Sequence, residues 1–235
     1  NMERIINMTN EAESDLVIWP EAVTKFDETV SKLVPKKVVI GGFFRQENTK
    51  VYTSAINLKT GHYYDKRNLV PFGEFQPFGS LLKSINNFFN IPNSSLSRGS
   101  FYQTKADWSA LICWELVFNE TFTRRVRGTK YIVHMSNDKW YGSSMPAQHL
   151  KHAKARAVES NKWVVRATLD GISQIISPRS NESSVILERG EMGSITHEIT
   201  LNSQDTFYIK HGDTPLLIIS VLSLMFGIFF RKYEK

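Results

Sequence analysis

The chain has 235 residues, 41% of them hydrophobic, which excludes a disordered chain and leaves room for one large or two small domains. Its formal charge of +6 comes from Lys and Arg scattered along the sequence rather than gathered in a run. A solvated basic surface, or one facing anionic lipid, is therefore expected, and no nucleic-acid partner. The single cysteine excludes a disulfide scaffold but leaves the compartment open.

The sequence opens on Asn1 in what reads as the middle of a helix. Short apolar runs rich in β-branched and aromatic residues then predict strands at Leu16–Trp19, Lys37–Phe43, Val51–Leu58, Ser109–Trp114, Tyr131–Ser136, Trp163–Thr168 and Ser173–Ser177. Helices are expected over 21–34, 79–89, 119–127 and 146–161, the last rich in alanine. Strands interleaved with helices make an α/β domain, and with no linker before about residue 200 a single domain over 1–211 is the simplest division. The segment Gln76–Pro92 reads as an insertion carrying an amphipathic helix, a lid or a membrane-touching loop.

From Pro215 to Phe230 there is no charge, and Arg231, Lys232 and Lys235 follow. At ~1.5 Å per residue this run is roughly 24 Å long, against a hydrocarbon core of ~30 Å, so a short transmembrane helix with a basic tail is expected over 212–235. Basic flanks favour the cytoplasmic side, which puts the rest of the chain on the opposite face. With no signal peptide to carry it there, the chain reads as the C-terminal piece of a longer membrane protein.

Glu21, Lys66 and Cys113 carry the candidate chemistry. Glu21 closes Trp19-Pro20-Glu21, where Pro and Glu suit the first turn of a helix; the alternative is a general base at a strand end. Lys66 reads alone as a solvated loop lysine, yet the turn Val70–Glu74 that follows can aim both Lys66 and Glu74 inward. Cys113 reads alone as an inert buried thiol. The three together, at successive strand ends about 45 and 47 residues apart and flanked by the carboxylates Glu74 and Glu115, form the parts of a covalent catalyst. His149 and His152 have no further ligand set, so no metal site is expected, and nothing suggests a cofactor. Asn137–Gly142 follows a strand and reads as a pocket-lining loop or as a turn with no chemical role; Asn137, Trp140 and Tyr141 within it, and His149 beyond it, are the candidates for substrate contact.

Glu, Lys and Cys in that order, each at a strand end, resemble the catalytic triad of the carbon-nitrogen hydrolase (nitrilase) superfamily. Leu16–Glu21, Lys66–Phe75, Ser95–Gly99, Ile112–Glu115, Ser136–Gly142, Gln148-His149, Ala153–Glu159, Arg166–Ile172 and Thr206–Pro215 resemble its apolipoprotein N-acyltransferase family, over nearly the whole chain. Trp114 departs from the tyrosine expected after the cysteine, although an aromatic is retained. The resemblance implies a four-layer α-β-β-α sandwich, here lacking its first strand and the family's N-terminal membrane domain. It also implies a monomeric enzyme on the extracytoplasmic face of the bacterial inner membrane. Glu21 would deprotonate Cys113, which takes an acyl group from a phospholipid as a thioester, and the N-terminal amine of a diacylglyceryl-cysteine apolipoprotein would then receive it. Lys66 would stabilise the oxyanion with a backbone N–H near Trp114, and Glu74 would orient Lys66. The alternatives are a membrane-tethered amidase using the same three residues on a small amide, or a fragment without activity.

Overall fold

The computed structural model describes residues 2–77, 95–140, 142–179 and 185–233. The expected helix over 79–89, and with it most of the insertion at 76–92, lies outside the described residues, as does Tyr141.

Two five-stranded sheets lie face to face. In the first, β1 (Leu16–Ile18) and β2 (Thr24–Lys25) run parallel to β3 (Val38–Glu47), and β4 (Lys50–Asn57) and β5 (Tyr63–Asp65) follow antiparallel. In the second, β6 (Trp108–Ile112), β7 (Tyr131–Asn137) and β8 (Val164–Leu169) are parallel, and β9 (Ser173–Ile176) and β10 (Ile186–Leu187) complete it antiparallel. The period of two along each strand assigns its faces. Trp108, Ala110 and Ile112 of β6 with Tyr131, Val133 and Met135 of β7 meet Ile40, Ala55 and Tyr64 of the first sheet in the core between the sheets. The alternate residues Leu111, Ile132 and Val164 face the other way, onto helices.

Those helices are α3 (Asn119–Val126), α4 (Met145–Ser160) and α5 (Phe207–His211), which bury Phe122, Val126, Leu150, Ala153, Ala157 and Ile209 against the sheet. On the opposite side α1 (Met2–Glu11) and α2 (Thr29–Leu33) cover the first sheet with Met2, Ile5, Ile6 and Val30 over Trp19, Val39, Phe43 and Ile56. The layers are therefore helix, sheet, sheet, helix, as expected. Each fully buried Leu, Ile, Val or Phe contributes roughly 1.5–3 kcal/mol. Small residues let α4 lie close to its sheet, and it stops at Asn161, whose left-handed φ of 52° closes the last turn.

One expectation changes. The helix expected over 21–34 shrinks to α2, because Val23 and Phe26 donate their N–H groups to Gly42 and Phe44 carbonyls and draw 23–26 into the sheet edge. Glu21 thus sits in a turn, with Ala22 at φ 52°, and not at a helix N-terminus. The C-terminal run does form a helix, α6 (Thr214–Tyr233), yet among the described residues no helix is long and apolar enough to cross a membrane. Its described apolar side chains, Leu216 to Phe229, are exposed.

Candidate active site

The parallel order of the strands brings their ends to one rim, where α/β folds place reactive groups. Glu21 follows β1, Lys66 follows β5, and Cys113 follows β6. The Pro20-Glu21 turn is anchored by Trp19, whose Nε1–H donates to Thr9 Oγ1 at 2.8 Å, and it crosses β3 at Gly42. A Cβ on Gly42 would lie 2.3 Å from the Pro20 carbonyl oxygen and 2.6 Å from Glu21 Cα, so only glycine permits the crossing.

Lys66 Nζ donates to Glu21 Oε1 at 3.0 Å and to Glu74 Oε1 at 2.7 Å. The other Glu74 oxygen accepts the Val70 N–H at 2.8 Å, pinning the turn that returns Glu74 to Lys66. The second oxygen of Glu21 accepts the Asn137 N–H at 2.9 Å from the end of β7. Burial opposes the charge on Lys66, but the negative charges of Glu21, Cys113 and Glu74 outweigh it and lift the ammonium well above the usual lysine range. Burial also raises the Glu21 carboxyl above its ordinary value, against the pull of Lys66 and with the help of Glu74. The result is a carboxylate that holds a proton more readily than a free one, beside a lysine that stays charged.

Cys113 leaves β6 at φ 52°, a left-handed conformation that costs a non-glycine residue roughly 1–2 kcal/mol, and the residue is 4% exposed. The turn Cys113–Val117 that follows is a short 3-10 helix. Glu115 ties it to the lysine loop. One oxygen accepts from Tyr64 Oη (2.8 Å) and from the N–H groups of Arg67 (2.8 Å) and Asn68 (3.1 Å), while the other accepts from Ile112 N–H at 3.0 Å. Its carboxyl is raised by burial despite these four donors. Glu115 thus fixes the residues beside Lys66 to the residue before Cys113.

Among the other sequence candidates, Trp114 lies 5.7 Å, ring to ring, from His149. His149 is fully buried with Nδ1 3.0 Å from Asp138 Oδ1, so it belongs to the interior and not to a pocket lining. Trp140 is 84% exposed, and Asn137 enters through its backbone. Sequence reasoning missed a buried polar chain behind the nucleophile: Asp138 accepts from Ser136, His149 and Arg166, and Arg166 reaches His134. A signal was present, because His134 and Arg166 interrupt otherwise apolar strands, and buried charges in strands are paired. Among the described residues no group of three or more His, Cys, Asp or Glu side chains is arranged to hold a metal. A cavity of about 610 Å³ opens along β1 between α1 and β8, but neither Glu21 nor Lys66 nor Cys113 lines it.

Residues 36–206 match the sequence profile of the Carbon-nitrogen hydrolase family, and the chain belongs to that family. The fold agrees: a CN-hydrolase superfamily protein from Xanthomonas campestris, solved with an arsenic adduct in its active site, superposes with a TM-score of 0.51 at 13% identity, covering 91% of this chain and 86% of that one. Within the family the chain is similar to the apolipoprotein N-acyltransferase of Shewanella oneidensis, at 31% identity over 95% of this chain and 49% of that protein. The apolipoprotein N-acyltransferases of Pasteurella multocida (33%, covering 88% and 40%) and Wigglesworthia glossinidia brevipalpis (29%, covering 98% and 52%) are comparably similar. The chain spans about half the length of these curated relatives.

Proposed function

We propose that this chain is the catalytic part of an N-acyltransferase that moves a fatty acyl group from a phospholipid, through a thioester on Cys113, to the N-terminal amine of a diacylglyceryl-cysteine apolipoprotein. The observation that carries the reading is the buried Glu21–Lys66 contact at the rim where Cys113 also sits, with Cys113 among the charges that raise Lys66. The similarity to apolipoprotein N-acyltransferases supplies the substrates.

Glu21 takes the proton from Cys113 Sγ, and the thiolate attacks the ester carbonyl of the phospholipid. Lys66 stabilises the negative charge on the tetrahedral oxygen, with the Trp114 N–H beside the nucleophile as a second donor. Collapse breaks the ester C–O bond, and the departing glycerol oxygen recovers the proton from Glu21 as lysophospholipid leaves. The acceptor amine then attacks the thioester, Glu21 removes its proton, and an amide forms as the Cys113 thiol is restored. Glu74 holds Lys66 in place throughout. Residues 1–211 would form the catalytic unit, and α6 would anchor it at the bacterial inner membrane; its exposed apolar side chains support that seat because apolar surface on every side of a helix is stable only under lipid or protein cover.

The test is incubation of the protein in mixed micelles with phospholipid carrying an isotopically labelled acyl chain, followed by mass spectrometry of the Cys113 peptide. A hydroxylamine-sensitive acyl adduct on Cys113 that passes to a synthetic diacylglyceryl-cysteine peptide is the expected result. No adduct overturns the proposal, and an adduct discharged only to water favours a hydrolase.

A further inference from the structure

Behind the nucleophile, on the helix-covered face of the second sheet, two residues stand side by side. His134 of β7 is registered opposite Arg166 of β8, and both are buried. Arg166 Nη1 lies 2.6 Å from His134 Nδ1, and His134 Nε2 lies 3.2 Å from the carbonyl oxygen of Cys113. A guanidinium has no acceptor, so Nδ1 must accept. The ring proton is then on Nε2, where it donates to the Cys113 carbonyl. Arg166 is held in turn by the Ile172 carbonyl at 2.9 Å and by Asp138 Oδ2 at 2.9 Å, and Asp138 is held by His149 and Ser136.

We infer that His134 is a positioning residue for Cys113, its Nε2–H gripping the carbonyl of the nucleophile and fixing the left-handed turn that aims Sγ toward Glu21 and Lys66. Arg166 and Asp138 hold the imidazole in the one tautomer that can do this. The geometry explains why a left-handed cysteine persists at the end of β6: the strain is offset by a hydrogen bond to its own buried peptide oxygen. It also explains why a buried arginine faces a histidine in the interior. Burial, Arg166 and His149 all push His134 well below its usual range, so the imidazole is neutral, as the donor–acceptor pattern requires. Arg166 also feels the negative charge of Cys113, which makes it a second buried cation, after Lys66, that favours the thiolate.

The inference rests on the reading of Cys113 as the nucleophile, but its test needs no acyl donor. In the full chain, His134→Gln places an amide N–H near the Nε2 position, whereas His134→Asn keeps an oxygen near Nδ1 and cannot reach the Cys113 carbonyl. The second-order rate of Cys113 alkylation by iodoacetamide is expected to stay within about threefold of the parent for His134→Gln and to fall about tenfold for His134→Asn, at similar melting temperatures. A tenfold change corresponds to ~1.4 kcal/mol in the barrier. Equal rates for the two variants, or losses that simply follow their melting temperatures, overturn the inference. Should either variant fail to fold, the histidine 15N spectrum of the unmutated protein decides: protonated Nε2 with bare Nδ1 is expected for His134, and the opposite tautomer overturns it. A correct alkylation pattern without any acyl adduct on Cys113 would sink the acyltransferase reading and leave this one standing.

Discussion

Lys66 and Glu21 are 45 residues apart in sequence, yet Nζ and Oε1 lie 3.0 Å apart with both side chains buried. Glu74 completes the arrangement as a second carboxylate on the same ammonium. Lys66 is thus the cation shared by two acids, one buried and one half-buried, and the energetics of the rim turn on it.

Removing that cation has a signed pH dependence. The Glu21 carboxyl is already raised by burial, so between its unfolded value near 4.5 and its higher folded value the native state holds a proton that the unfolded chain has lost. Stability falls as pH rises through that window. Lys66→Met deletes the charge that opposes the rise, so the window must extend to higher pH. Denaturant unfolding from pH 4.5 to 8 should show a steeper and longer decline for the variant than for the parent. Parallel curves would contradict the account.

The left-handed turn at Cys113 separates chemistry from stability. Cys113→Ala and Cys113→Gly should both abolish acyl transfer. Cys113→Gly should nonetheless be the more stable of the two by about 1 kcal/mol, because glycine accepts φ 52° without strain. Calorimetric melting of the pair checks this, and a more stable alanine variant would mean the turn is unstrained.

Glu115 offers four acceptor contacts and no donor. Glu115→Gln turns one oxygen into an N–H₂ that must face either the Ile112 N–H or the trio from Tyr64, Arg67 and Asn68. A loss of about 2 kcal/mol is expected, together with slower acylation because the lysine loop is released. Equilibrium unfolding and single-turnover acylation measure the two effects, and an unaltered stability would show the carboxylate to be dispensable.

At Gly42 the crossing of Pro20-Glu21 over β3 leaves no space for a methyl group. Gly42→Ala should cost about 1–3 kcal/mol and move Glu21 away from Lys66, so acylation should fall more than a stability loss alone predicts. Full activity at a temperature where the variant is folded would argue against this placement.

Much of this was legible in the chain. The strands β6 and β7 are largely apolar runs buried on both faces, a local pattern that survives folding, and α3 and α4 begin and end within a residue of their expected bounds. The order Glu21, Lys66, Cys113 at strand ends was equally visible. Less visible were Glu21's own conformation and the roles of Glu115, His134, Asp138 and Arg166. The Pro-Glu pair favours a helix start by local preference, but pairing of Val23 and Phe26 with β3 outweighs a preference worth only tenths of a kcal/mol.

The sequence by itself determined the alternation of strand and helix and which residue types stand at the strand ends, because both depend on near neighbours and on burial. Tertiary structure alone decided which carboxylate meets Lys66, which one ties the lysine loop to the nucleophile, and which imidazole nitrogen carries the proton behind Cys113. Those are contacts across tens of residues, set by the register of β6, β7 and β8 and by the close passage of Pro20 over Gly42. A hydrogen bond is decided within tenths of an ångström, and only the packed sheets fix distances that finely.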